Sequence, residues 1–142
     1  MLVVSLRYLL DTNIVSEPLR PQPNRGVMAQ LAKHAGRAAI ATVVWHELLF
    51  GCHRLPASRK RSAIERYLQQ VVWQTLPFLP YDAAAAEWHA AERARLTTIG
   101  QTPSFVDGQI AAIAKVNGLT LVTANVEHYS AFQGLRVDDW HA

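Results

Sequence analysis

Three acids stand in stretches that are otherwise apolar. Asp11 follows Tyr8, Leu9 and Leu10 in "YLLDTNIVSE". Glu47 lies in "TVVWHELLFG", with Val43, Val44, Phe50 and Gly51 three or four residues away, and Asp107 lies in "PSFVDGQIAAIA", with Ser104, Ile110 and Ala111 at that spacing. Residues so spaced share a helix face, so Glu47 and Asp107 are expected on inward faces. Each acid alone has an ordinary use. Asp11 suits a turn or a helix N-cap, and Glu47 could snorkel at the end of its stripe or meet an arginine from elsewhere. Asp107 falls in a first helical turn, where the macrodipole favours a carboxylate by about 0.3–1 kcal/mol. Together they demand a counter-charge, because carboxylates converging at low dielectric repel by several kcal/mol unless something positive lies between them. Hard oxygen donors, few in number, suit Mg2+ or Mn2+, above all where phosphate oxygens complete the coordination. Gly108, next to Asp107, leaves room for a ligand or another backbone.

Other chemistries lack their residues. No GxxxxGK[ST] loop is present, which argues against nucleoside triphosphate binding of that type. "WHELLFG" opens like a zinc-protease helix, but Phe50 stands where the second histidine is required. His34, His46, His53, His89, His128 and His141 show no ligand spacing, "DTN" lacks the second aspartate of an aspartyl-phosphate motif, and no Ser or Cys sits in a nucleophile elbow. A receiver-like phospho-acceptor role for Asp11 needs a lysine after a late strand, and "LVTAN" has none.

The acids need a frame. Short apolar runs at 6–10, 37–42, 75–79 and 119–123, with a weaker one at 135–137, read as buried strands. Helical patterns over 27–35, 43–54, 58–73, 82–97 and 104–117 separate them, with Asp82 as an N-cap and Asn117-Gly118 as a stop. Strands alternating with helices imply parallel pairing through right-handed crossovers: a three-layer α/β/α sandwich around a mainly parallel sheet of about five strands. Ligands gather at the carboxyl ends of such strands, where "DTN" falls.

With 142 residues, half of them hydrophobic, the chain is expected to fold as one domain spanning 1–142. Arg7 interrupts the apolar opening and no cleavage site follows, so no leader is expected, and no run reaches the roughly 20 residues that cross a bilayer. Cys52 is the lone cysteine, which excludes an internal disulfide. A cytoplasmic protein without membrane contact is the expectation. The net charge of +3 leans toward an acidic partner, and its distribution is uneven: Arg54, Arg59, Lys60, Arg61 and Arg66 face a lone Glu65 between positions 54 and 66. That stretch is either a solvated helix face or a nucleic-acid contact.

The segments "LLDTNIVSE", "ATVVWHELLFG", "PYDAAAAEW", "TPSFVDGQIAAIA", "GLTLVTAN" and "GLRVDDW", in this order, resemble the PIN-domain ribonuclease toxins of prokaryotic type II toxin-antitoxin modules, the VapC type, from Leu9 to Trp140. The resemblance implies a PIN-like fold and an endoribonuclease dependent on Mg2+ or Mn2+, with Asp11, Glu47 and Asp107 at the metal. Asp11 and Asp107 would hold the ion, while Glu47 orients a water or completes a second site. Thr12 and Asn13 match the polar pair supporting the first acid, and Thr123 matches the threonine ending the fourth strand. Asn125 stands where some members carry a fourth acid, with Glu127 as a nearby substitute. Hydrolysis by water would leave 5′-phosphate and 3′-hydroxyl ends on structured or single-stranded RNA loops, transfer RNA among them.

Arg54, Arg59, Lys60, Arg61, Arg93 and Arg95 are candidates for RNA backbone contacts, while Trp45, Trp73 and Trp88 read as core or interface aromatics. The resemblance further implies a homodimer and a cognate VapB-like antitoxin whose C-terminal segment lies over the site, with operator DNA reached only through that antitoxin. The alternative it leaves open is a weakly active or inactive subunit that serves mainly in an antitoxin–DNA repressor complex.

Overall fold

The computed structural model describes residues 5–142; positions 1–4, part of the apolar opening read as carrying no leader, lie outside the described residues. Five short strands form the sheet: β1 (Tyr8–Leu10), β2 (Ala38–Ala41), β3 (Phe78–Leu79), β4 (Thr120–Val122) and β5 (Val137–Asp138). Their order is β3-β2-β1-β4-β5 and every pairing is parallel, with Leu9 opposite Ala39 on one side and Leu121 on the other. The expected α/β/α sandwich is present.

The order explains where a site can form. From β1 the chain moves outward through β2 to β3, then returns across the sheet to β4 and on to β5. Right-handed crossovers in opposite directions place their helices on opposite faces, which opens a crevice at the carboxyl ends of β1 and β4, where the direction reverses.

Among the described residues seven helices accompany the strands: α1 (Thr12–Val15), α2 (Arg25–Lys33), α3 (Thr42–His53), α4 (Arg59–Tyr67), α5 (Trp73–Thr75), α6 (Ala83–Thr98) and α7 (Phe105–Val116). A buried sheet wants apolar strands and closely approaching helices, and small side chains provide the approach: Ala39 and Ala41 in β2, and Ala111, Ala112 and Ala114 in α7, are all fully buried. α7 packs along α6, and Asn117 caps it before Gly118, whose φ of 67° supplies the left-handed turn. α3 leaves β2 at the carboxyl rim and touches α1 and α7.

Two details depart from the pattern. The helix expected over 58–73 is interrupted by a wider π turn at Leu68–Val72, which keeps Leu68 and Val72 buried while Val71 and Trp73 remain exposed. Two 3-10 turns, Glu17–Leu19 and Val126–Tyr129, fall where no regular element was expected. They are too short to leave a periodic trace.

Candidate functional site

Asp11 is the residue directly after β1. Its backbone N–H continues the sheet by donating to Val122 O at 2.9 Å, and its Oδ1 caps α1 by accepting from the Thr12 N–H at 2.8 Å. The N-cap reading and the site reading of this residue are therefore compatible, because one oxygen serves the cap and the other faces the crevice. That second oxygen, Oδ2, accepts from the Thr123 hydroxyl at 2.8 Å and from the Tyr129 hydroxyl at 3.3 Å.

Thr123, fully buried just past β4, joins the two strands. Its Oγ1 also accepts from the Asn125 N–H at 3.0 Å and from Asn13 Nδ2 at 3.4 Å, while Asn13 Oδ1 accepts from the Ala124 N–H at 2.9 Å. Thr12, Asn13, Thr123 and the Asn125 backbone thus form one hydrogen-bonded web that fixes Asp11. Burial makes that web specific: each partner left unsatisfied there would cost about 1–3 kcal/mol.

Asp107 reaches the same place from the opposite side. Ser104 caps α7 by accepting the Asp107 N–H at 3.1 Å, and Asp107 Oδ1 lies 3.2 Å from the Tyr129 hydroxyl. One phenol proton is thus shared by two carboxylates, Asp11 and Asp107. Burial, and then the charges of those two acids, push the Tyr129 phenol far above its usual value, so the proton stays available for donation. Tyr129 is 1% exposed, and it is the member of this cluster that the sequence reading missed. Gly108 fixes the height of α7 in this arrangement: a Cβ there would overlap the ring of buried His89, so the room it leaves belongs to His89 on α6.

Glu47 is placed differently from expectation. The buried face of α3 is Val44, Leu48 and Cys52, and Glu47 flanks it, with its side chain 41% exposed and Oε1 3.5 Å from His46 Nδ1. Phe50, counted as part of its apolar stripe, stands 51% exposed. The inward reading of Glu47 is thus corrected: the stripe turns outward because α3 lies over the rim, where one of its apolar edges meets solvent. Asn125 and Glu127 are both exposed, and no side-chain hydrogen bond ties either one to Asp11 or Asp107.

Among the described residues, no three His, Cys, Asp or Glu side chains are grouped closely enough to hold a metal ion as they stand. Asp11 and Asp107 are nevertheless the right donors for a hard divalent cation. They are two carboxylates converging on one hydroxyl, and among the described residues no Lys or Arg forms an ion pair with either; exposed His128 approaches to 3.9 Å from Asp107 Oδ2.

Of the basic candidates, Arg61 is held by Glu65 at 2.9 Å and by Leu55 O at 3.0 Å, and Arg95 by Glu92. Arg54, Arg59, Lys60 and Arg93 make no ion pair among the described residues. An apolar cavity of about 400 Å3 opens between α2 and the π turn, lined by Leu10, Val15, Leu31, Tyr67, Val72 and Trp140. Tyr67 closes it by donating to Val15 O at 2.6 Å, and burial pushes its hydroxyl up to about 12.

A parallel doubly wound sheet with two carboxylates held at its switch point defines the class, an α/β protein with an acidic crevice at the carboxyl ends of its strands. The comparison with known families specifies which one. The chain belongs to the PIN-domain family, whose model matches residues 8–131. Toxin FitB of Neisseria gonorrhoeae is 33% identical over 136 residues, covering 94% of this chain and 98% of its own. The tRNA(fMet)-specific endonuclease VapC of Shigella flexneri is 31% identical over 137 residues, covering 95% and 98%. The structure of FitAB bound to an IR36 DNA fragment matches with a TM-score of 0.86 at 31% identity, covering 95% of this chain and 96% of that one. No helix among the described residues is long and apolar enough to cross a membrane.

Proposed function

We propose that this protein is the toxin of a toxin-antitoxin pair, an endoribonuclease dependent on Mg2+ or Mn2+ that hydrolyses phosphodiester bonds in RNA loops. The observation that carries this reading is the convergence of Asp11 and Asp107 on one hydroxyl at the switch point, with no cation of the protein's own between them. Relatives named as a toxin and as a tRNA(fMet)-specific endonuclease support the same reading.

Asp11 and Asp107 would hold the ion. When bound, it supplies neutralising charge at the scissile phosphate and raises the acidity of a nearby water. The chain's own residues do the rest. Thr12, Thr123 and Tyr129 keep Asp11 from rotating, Ser104 and Gly108 fix the first turn of α7 that carries Asp107, and Glu47, half in solvent on α3, is free to turn toward the crevice and accept a proton from the attacking water at its carboxylate. Attack by water leaves a 5′-phosphate and a 3′-hydroxyl. The free protein is expected to cut single-stranded RNA in Mg2+ or Mn2+ and not in EDTA. Product ends carrying a 2′,3′-cyclic phosphate, or cutting undiminished by EDTA, overturn the proposal.

The antitoxin is proposed to be VapB-like, with its C-terminal segment lying over the site; operator DNA is then met through that partner. A second reading, a subunit serving chiefly in a repressor complex, is favoured by Asn125, which brings no charge to the fourth corner, and by the outward Glu47. RNA cutting by the free chain rules against it.

A further inference from the structure

Three arginines lie over aromatic rings among the described residues, and two of those rings stand on the helices that carry Glu47 and Asp107. The Arg54 guanidinium carbon is 5.1 Å from the centroid of Phe50, and that of Arg93 is 5.4 Å from the centroid of Phe105. The third pair, Arg7 over Tyr8, lies at the start of β1, the opposite end of the sheet. Phe50 stands one helical turn beyond Glu47 on α3, and Phe105 opens α7 two residues before Asp107.

Both rings are half in solvent, at 51% and 50%, which forgoes much of the burial a phenyl normally gains. They are nevertheless held. Phe50 stacks parallel to His46, at 6.2 Å and 10°, and Phe105 rests against His89 at 4.9 Å, with Tyr81 behind it at 6.5 Å. Among the described residues Arg54 and Arg93 form no ion pair, whereas Arg20, Arg61 and Arg95 do. An uncommitted planar cation over an exposed ring offers a stacking face and a phosphate donor in one unit.

We infer that the two units, Phe50 with Arg54 and Phe105 with Arg93, are the platforms on which unpaired bases either side of the scissile phosphate stack, so that the substrate strand is single-stranded RNA with its bases splayed. The inference rests on the nuclease reading for its place in the reaction. Unstacked bases find π faces and guanidinium planes at such sites, whereas a duplex keeps its bases inside the helix.

The test uses the full chain carrying Asp11→Asn, in EDTA, with a fluorescein-labelled single-stranded RNA and a hairpin duplex of the same composition, read by anisotropy. The expected result is tighter binding of the single strand, weakened about tenfold by Phe50→Ala or Phe105→Ala while the duplex affinity stays put. Arg54→Gln and Arg93→Gln, which leave both rings in place, are expected to lower the salt slope for the single strand by about 0.7 each. These surface changes keep the test open should Phe105→Ala fold poorly. No preference for the single strand, equal losses on both RNAs, or a changed sedimentation profile with unchanged single-strand affinity overturns the inference. The nuclease reading fails separately, if the unsubstituted chain cuts no RNA in Mn2+.

Discussion

Glu92 and Asp11 are buried alike, each 7% exposed, and the fold treats them in opposite ways. Glu92 on α6 is met by Arg95, one turn along, through two hydrogen bonds of 2.6 and 2.9 Å, and it accepts the Gln133 N–H at 2.8 Å. The Arg95 hydrogen bond holds its carboxyl below the usual carboxylate range, against the opposing push of burial. Buried Glu17 is served in the same manner by the Asn24 N–H, with Arg20 at 3.6 Å. Asp11 receives only dipoles: a backbone N–H and two hydroxyls, with a second carboxylate sharing one of those hydroxyls. Where the fold needs a carboxylate as a strut it brings a guanidinium from within one turn. At the switch point it brings none, which leaves a charge to be met from outside.

The largest test of that difference is to remove the charge while keeping the shape. Asp11→Asn or Asp107→Asn is expected to lower RNA cutting at least about a thousandfold, the scale of losing a key electrostatic contact to the transition state. Stability in EDTA should hold or rise, because like charges no longer face each other. A fluorogenic single-stranded RNA assay and a thermal melt read both. Either variant cutting at close to the rate of the unsubstituted protein would place the catalytic centre elsewhere.

Metal addition separates the two kinds of acid. Mn2+ at a hundred times its Kd should stabilise the unsubstituted protein by about 2.7 kcal/mol, and the Asp11→Asn chain hardly at all. Glu92→Gln should keep that increment intact while losing roughly 2 kcal/mol of basal stability, less than a deeply buried pair would lose, since Arg95 is partly in water. A Glu92→Gln chain that also loses its metal increment would erase the distinction. The pH dependence follows from the sign: the folded Glu92 value lies below its reference of 4.5, so its stabilisation is complete above that pH and is lost as pH falls through the folded value. Urea melts between pH 5 and pH 3 should therefore show a shallower decline for Glu92→Gln.

The same contrast marks what the sequence could and could not disclose. Asp11 and Asp107 were legible because they interrupt apolar runs next to elements of clear period, and parallel pairing followed from the crossover rule, whereas the strand order β3-β2-β1-β4-β5 had no local trace. Glu47 misled because a 3.6-residue stripe shows which residues share a face and not whether the neighbours cover it; α3 lies over the rim, so Phe50 on the same edge is exposed. Tyr129 left no signal. It sits in a 3-10 turn of four residues and meets Asp11 across 118 positions, a contact set by the sheet's switch point and invisible to local spacing. Arg61 looked like its basic neighbours but is tied to Glu65, one helical turn on, and to Leu55 O, a backbone contact that residue spacing does not show.

The smallest effect is the most diagnostic, because Tyr129 could belong to either side of the comparison. Its ring packs on Phe132 at 6.2 Å, so Tyr129→Phe keeps the packing and removes only the proton that Asp11 and Asp107 share. If the hydroxyl offsets the paired carboxylate charge in the metal-free protein, its loss should cost about 1 kcal/mol in EDTA and less in saturating Mn2+, because the ion then takes over the compensation that the phenol provided. Mn2+ titration by calorimetry should show a changed affinity to match, as linkage requires. An equal loss in both conditions, with unchanged Mn2+ affinity, would make Tyr129 a strut of the same kind as Glu92, and the two acids at the switch point would then owe their placement to packing alone.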